Sequence, residues 1–294
     1  MRSVLVAHLT DLHVADVRDY VDAEAALHPK IRKHSERVLE RLLADLAARR
    51  PDHVVITGDV TLTSKEAEFR RARAYLDAAL PGVRLSVLPG NHDVWREEAV
   101  REGWFAAAFG DAVACDLGGT PYPYCHLVGE HLAFLALDSC PFRPGVEPNR
   151  VPGHVDAAQL ERLASLCADE RVRSRFVVVL LHHHLRLSDV DRLAVDPKDP
   201  TPLADAAAVE RAIAALPVGL VLHGHRHRQM RVEVPREGPG LPVLCPGSAT
   251  RLDADPSRTG RYGLYRFGPG GLEAAAIRYL DPRFDRFLWG TPPP

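Results

Sequence analysis

The chain has 294 residues, 46% of them hydrophobic and 26% charged, with 37 Lys and Arg against 39 Asp and Glu and a formal net charge of −2. This is the make-up of an ordinary globular protein, and the near-neutral balance excludes an overall electrostatic pull toward nucleic acid or anionic membrane. No apolar run approaches the roughly 20 residues of a membrane helix, and the first residues lack the apolar length of a signal peptide, so a cytoplasmic location without membrane insertion is expected.

Val4–Leu9 reads as a buried strand ending in Thr10-Asp11-Leu12-His13. Asp11 and His13 are two apart, so an extended backbone projects both to the same side. Residues 16–30 are polar and irregular and read as a loop or small cap. The stretch from His34 to Arg49 carries Val38, Leu39, Leu42, Leu43 and Leu46 at helical spacing, with Ser35 as the N-cap. The β-branched run 52–57 then delivers Asp59, a second helix covers Ser64–Leu80, and a strand over Val83–Leu88 leads into Gly90-Asn91-His92-Asp93. Gly90 is read as the residue that permits a tight or positive-φ turn there.

Residues 94–126 contain Trp95, Trp104, Phe105 and Phe109 and read as a helix followed by Gly-, Pro- and Tyr-rich turns. A strand over Leu132–Leu137 ends at Asp138-Ser139, a helix covers Asp156–Asp169, and the apolar strand Phe176–Leu181 ends in His182, His183 and His184. After a loop over 185–205 and a helix over Ala206–Leu216, the short strand Gly219–Leu222 ends in His223-Gly224-His225-Arg226-His227. The segments Met230–Val234, Leu241–Leu244, Gly263–Phe267 and Leu272–Tyr279 alternate and read as a second, mostly antiparallel sheet packed on the first. One domain over 1–280 is expected, with 281–294 as a tail docked on the body or on a partner subunit. The five cysteines are odd in number and contain no Cys-x-x-Cys pair, which fits reduced buried thiols.

Strands alternating with helices, and polar residues gathered where strands end, describe an α/β sheet with its site at the carboxyl ends. Any one of these histidines read alone is an ordinary core residue. Five strand ends each supplying Asp, Asn or His are not explained that way. Imidazole, carboxylate and one amide without thiolate suit ions such as Mn, Fe, Co or Zn, and about seven donors suit two ions sharing a carboxylate.

In order and approximate spacing, Asp11-Leu12-His13, Gly58-Asp59, Gly90-Asn91-His92-Asp93, the 182–184 histidines and Gly224-His225-Arg226-His227 resemble the calcineurin-like metallophosphoesterase family. Within it they resemble most the bacterial class III cyclic-nucleotide phosphodiesterases and their glycerophosphodiesterase relatives. The resemblance implies a four-layer α-β-β-α sandwich of two mixed β-sheets flanked by helices. It implies further that Asp11, His13 and His227 hold one ion, that Asn91, His183 and His225 hold another, and that Asp59 bridges them. His183 is taken because the family motif usually puts the ligand first in a His-His pair followed by Pro. Leu185 stands where that Pro is often found, and His182 is the next candidate.

The activity so implied is hydrolysis of a small phosphodiester by a hydroxide held between the two ions, which lower the pKa of water toward about 7. Two divalent ions, Asp11, Asp59 and that hydroxide leave a charge of about +1 toward the substrate. His92 is the candidate for protonating the departing alkoxide, with Asp93 fixing its tautomer. Arg32, Arg143, Arg150 and Arg186 lie in the segments expected to wall the site. The alternatives are a phosphomonoesterase, a pyrophosphatase acting on a nucleotide-linked sugar or lipid, and a non-catalytic metal-binding scaffold. No stable nucleic-acid partner is expected, and a homo-oligomer is compatible with the chain.

Overall fold

The computed structural model describes residues 2–16, 34–119, 121–146, 151–187, 203–253, 258–281, 283 and 285–290. Its strands are β1 (Val4–Leu9), β2 (His53–Thr57), β3 (Arg84–Leu88), β4 (Tyr124–Val128), β5 (Leu132–Ala136), β6 (Phe176–Leu180), β7 (Val218–Leu222), β8 (Met230–Val234), β9 (Leu241–Cys245), β10 (Arg261–Gly268), β11 (Gly271–Asp281) and β12 (Arg286–Gly290). The helices are α1 (Glu36–Arg49), α2 (Glu66–Ala79), α3 (Glu97–Arg101), α4 (Trp104–Phe109), α5 (Ala157–Ala168), α6 (Glu170–Arg173) and α7 (Ala206–Ala214). The strands form two mixed sheets, ordered β12-β11-β10-β1-β2-β3 and β4-β5-β6-β7-β9-β8. In the first, β1, β2 and β3 run parallel; in the second, β5, β6, β7 and β9 do.

The near-continuous apolar strands follow from burial on both faces. Along β5 the residues alternate: Leu132, Phe134 and Ala136 join one core cluster, and Ala133 and Leu135 join another. The first set meets Val178, Leu180, Leu220 and Leu222 from its own sheet and Val4, Val6, Val55 and Leu88 from the other, so these residues fill the space between the sheets. The outer face of the first sheet carries α1 and α2, whose Leu39, Leu42, Leu46, Phe69 and Leu76 pack on Ala7, Leu9, Val54 and Ile56. Leu163 of α5 and Val209 and Ile213 of α7 cover Val177 and Val179 on the second sheet. This is the four-layer sandwich that the resemblance implies. Emptying its centre, as Phe134→Ala would, costs about 3–5 kcal/mol.

One partition of the strands differs from the sequence reading. The C-terminal strands do not make a sheet of their own. β8 and β9 extend the second sheet, while β10 runs antiparallel to β1, pairing Val4 with Phe267 and Val6 with Tyr265, and puts those aromatics between the sheets. Alternation identifies a strand's buried face but carries nothing about which edge it joins. β4, hidden in a Pro-rich neighbourhood, pairs with β5, and Arg286–Gly290, read as tail, pairs with β11 as an edge strand. All five cysteines are free thiols; four are buried, and Cys115 is half-buried.

A polar relay threads the first sheet and its neighbour β4. His126 Nε2 lies 3.0 Å from the Ala114 carbonyl, which can only accept, so Nδ1 of the neutral ring carries the lone pair. The Ser86 hydroxyl therefore donates to His126 Nδ1 at 2.7 Å and accepts from His53 Nε2 at 2.7 Å. All three side chains are fully or almost fully buried. Burial holds the His53 imidazole at a pKa of about 3 and that of His126 at about 4.

Candidate metal centre

The carboxyl ends of β1, β2, β3, β6 and β7 meet at one end of the sandwich. Asp11 and His13 follow β1, Asp59 follows β2, and Asn91 follows β3. The three histidines 182–184 follow β6, and His225 and His227 follow β7. All of these side chains are buried. Asp11, His13, Asp59, His225 and His227 have positive φ angles of 54°, 45°, 50°, 78° and 51°, a conformation that non-glycine residues adopt only where their surroundings hold them in it. The backbone is bent at these points to turn side chains of consecutive loops into one volume.

Two clusters result. In the first, donor atoms of Asp11, His13, Asp59 and His227 all lie within 4.8 Å of one another. His227 Nε2 is 3.3 Å from Asp11 Oδ1, and His13 Nε2 is 3.5 Å from Asp59 Oδ2 and 3.0 Å from His227 Nε2. In the second, His182 Nε2 is 2.9 Å from Asn91 Oδ1 and 3.2 Å from His225 Nδ1, which is itself 3.0 Å from Asn91 Oδ1. Asp59 belongs to both, since its other oxygen, Oδ1, is 3.5 Å from His182 Nε2.

His182, and not the expected His183, brings a ring nitrogen into the second cluster. Side chains alternate along an extended chain, and Val178 and Leu180 already face the inter-sheet layer, so the next residue of that parity is His182. The His183 ring packs 4.4 Å from that of His225, but its nitrogens are turned elsewhere. Its Nδ1 pairs with Ser139 Oγ at 2.9 Å, and its Nε2 has no hydrogen-bond partner among the described residues. His184 stacks on His225 at 5.6 Å between ring centroids.

The Gly90–Asp93 turn is tight, closed by the Asp93 N–H on the Gly90 carbonyl at 3.0 Å, but differs from expectation in the roles of Gly90 and Asp93. Gly90 does not have a positive φ; it is glycine because a Cβ there would fall 2.1 Å from the Asp59 amide and carboxylate. Asp93 does not touch the His92 ring. Its oxygens accept the backbone N–H groups of Gly90 (2.8 Å), Val60 (3.1 Å) and Thr61 (2.8 Å) and the Thr61 hydroxyl (2.7 Å), tying the turn after β3 to the loop after β2. His92 is oriented by the Leu62 carbonyl, which accepts from Nδ1 at 2.6 Å. The ring stands edge-on to His13, 4.7 Å away, and to Trp95, 5.5 Å away.

A model of the calcineurin-like phosphoesterases matches residues 4–229. The chain belongs to that family. Membership makes it a metal-dependent phosphoester hydrolase by descent, and solved structures agree on the fold. A dimetal phosphatase from Danio rerio superposes with a TM-score of 0.59 at 16% identity, over 95% of this chain and 93% of that one. Purple acid phosphatase PPD1 from yellow lupin gives 0.56 at 12%, over 99% of this chain and 57% of the plant protein. GAP50 of the Plasmodium inner membrane complex gives 0.53 at 11%, over 100% and 90%. No protein of curated function matches the chain.

The donor set of this phosphoesterase fits two metal ions. His182 Nδ1 lies 2.8 Å from the Thr57 carbonyl and must donate to it, so Nε2 holds the lone pair. That lone pair faces Asn91 Oδ1 and the Asp59 carboxylate. Acceptors opposed across 2.9 Å repel, and a cation among them turns the repulsion into coordination. Carboxylate, imidazole and amide without thiolate are the donors of Mn, Fe, Co and Zn sites.

Of the arginines expected on the walls, Arg186 is bound to Glu210 at 3.0 and 2.9 Å, and Arg32 and Arg150 lie outside the described residues. Arg143 is exposed and, with Val94, Trp95, Pro141, Val146 and Val151, lines a shallow groove beside Asn91. No described helix is long and apolar enough to cross a membrane. Sequence reasoning missed His34, whose ring lies 4.3 Å from that of His13 and 5.1 Å from that of His227. Its only signal was position, next to Ser35, which stands at the N-cap of α1 without a side-chain capping bond.

Proposed function

We propose that the protein is a two-metal phosphodiesterase acting on a small diester of the cyclic-nucleotide or glycerophosphodiester type. The observation that carries this reading is Asp59, whose two oxygens turn separately to His13 and to His182, each at 3.5 Å. In this reading Asp11, His13, Asp59 and His227 hold one ion, and Asp59, Asn91, His182 and His225 hold the other. When bound, such a pair polarises phosphoryl oxygens and supplies hydroxide at neutral pH.

The chain's own residues do the rest. Asn91 contributes an oxygen without charge, so the pair keeps a net positive field for a phosphate anion. His92 keeps its Nδ1 proton on the Leu62 carbonyl and so presents Nε2 as the atom that gives or takes a proton. Trp95 and the Val94–Val146–Val151 groove beside Asn91 provide an apolar wall for an organic substituent. Apolar side chains make up most of this wall, which suits the organic substituents of a diester, and Glu210 neutralises Arg186, another arginine of the expected walls. Arg143, exposed on the rim without an ion pair among the described residues, favours the second reading, a pyrophosphatase acting on a nucleotide-linked substrate.

A panel of an aryl diester, an aryl monoester, cyclic nucleotides, glycerophosphodiesters and a nucleotide sugar, assayed with added Mn²⁺, tests the choice. Preference for diesters is the expected result. Faster turnover of the monoester or the nucleotide sugar overturns it, and a fully metal-loaded protein without any activity returns the scaffold reading.

A further inference from the structure

We infer that His34 is a third imidazole ligand of the first metal ion, beside His13 and His227, an inference that rests on the two-metal reading above. One ring nitrogen of each of these three residues lies within 4.8 Å of the other two. All three side chains are buried, so the grouping is not a chance approach of mobile surface residues.

The hydrogen bonds around His34 decide which nitrogen faces the cluster. The Thr250 hydroxyl lies 2.8 Å from the Leu12 carbonyl, and the Ser248 hydroxyl lies 2.8 Å from the Asp11 carbonyl. A carbonyl only accepts, so both hydroxyl protons are spent on the backbone of the β1 loop. Toward His34 Nδ1, at 2.8 Å from Thr250 and 3.5 Å from Ser248, these oxygens can therefore only accept. The proton of the neutral ring sits on Nδ1, and Nε2 carries the lone pair.

That tautomer selects among ligands. A nitrogen lone pair coordinates a cation and repels a phosphate oxygen, so His34 in this state is a metal ligand and not an anchor for the substrate. Thr250 and Ser248 do for His34 what an outer partner does for a metal-bound histidine: they fix the ring and raise its basicity. They also tie it to the carbonyls of Asp11 and its neighbour, so ligand and loop are held by the same two side chains.

The two sites then differ in kind. His34 groups with His13 and His227, and these two group in turn with Asp11 and Asp59, so an ion on His13 and His227 would have three imidazoles with carboxylate beside them, and the other ion two imidazoles, one amide and a share of Asp59. The first should bind borderline ions such as Zn²⁺ or Co²⁺ more tightly than the second.

Metal-free protein titrated with Co²⁺, followed by visible absorption, and Cu²⁺- or Mn²⁺-loaded protein, read by pulsed EPR for coupled imidazole nitrogens, test this without any substrate. Wild type should show two binding steps and three imidazoles on the tighter site. His34→Phe should weaken the tighter step about 10–100-fold and leave two imidazoles, with the weaker step unmoved. Thr250→Val, which keeps the ring nitrogen, should retain three. If His34 only anchors the 248–250 segment, the two variants behave alike and His34→Phe keeps the wild-type imidazole count, which overturns the inference. His34→Gln, which preserves a donor for Thr250, replaces the Phe variant should that fail to fold. Wild-type protein that binds fewer than two ions would instead defeat the two-metal reading itself.

Discussion

The Leu62 carbonyl oxygen lies 2.6 Å from His92 Nδ1, and this contact places the ring's exchangeable chemistry on Nε2. A main-chain group does here what a carboxylate does in many histidine pairs. The expected consequence is that His92→Ala retains both ions by elemental analysis while turnover falls about 10²–10⁴-fold, the usual loss for a positioned acid or base. If the ions leave with the ring, His92 is a ligand.

Asp59 turns one oxygen to each cluster, so its replacement should be felt at both. Asp59→Asn keeps the shape of the side chain and removes the charge that two cations share. Titration calorimetry of the variant should show at most one ion bound. Two ions bound with wild-type affinity would remove Asp59 from the bridging position.

Asp93 holds two loops together rather than a ring. Burial pushes its carboxyl pKa upward, while the hydrogen bonds from Gly90, Thr61 and Val60 pull it down. Asp93→Ala leaves four buried donors without their acceptor, at about 1–3 kcal/mol each in the worst case. Denaturant unfolding should show a loss of at least about 3 kcal/mol, with activity falling because the turn carrying Asn91 and His92 moves. A variant as stable as wild type but altered only in its pH–rate profile would restore Asp93 to a role on His92.

The His53–Ser86–His126 relay makes the fold acid-sensitive. Both rings are held neutral, with folded pKa values near 3 and 4 against about 6.5 in an unfolded chain. The unfolded state therefore binds more protons below pH 6.5. The stability that the neutral rings contribute is complete above that pH and is lost as pH falls toward 4. At pH 5 the loss is about 2 kcal/mol per ring. Urea unfolding of wild type and His126→Gln across pH 5–7.5 checks this: the variant starts less stable but should lose less on acidification. Parallel curves would mean that the relay does not titrate with folding.

Much of the site was legible because its residues sit where strands stop. Short, near-continuous apolar runs gave the strand ends, and the strand ends gave the candidates Asp11, His13, Asp59, Asn91, His225 and His227. His182 was legible too, from the parity of Val178 and Leu180, but a motif register was followed instead. His34 was not, because it belongs to no strand end and is tied beside the β1 loop by Thr250, which lies 216 residues away. The Leu62 carbonyl carries no signal in the sequence, since every residue has one. The sheet that β10 joins was equally hidden, since it is settled by pairing with β1 more than two hundred residues away.

The five left-handed residues at the strand ends have a bearing on how this protein can change. Each holds a conformation that costs on the order of 1–3 kcal/mol and that glycine would adopt freely. A lineage or a laboratory library selected for heat resistance alone would find easy gains by mutating Asp11, His13, Asp59, His225 or His227 to glycine. Each gain would delete one of the side chains that form the two clusters. Retention of all five in a thermally selected population would report that phosphoester chemistry was being selected at the same time.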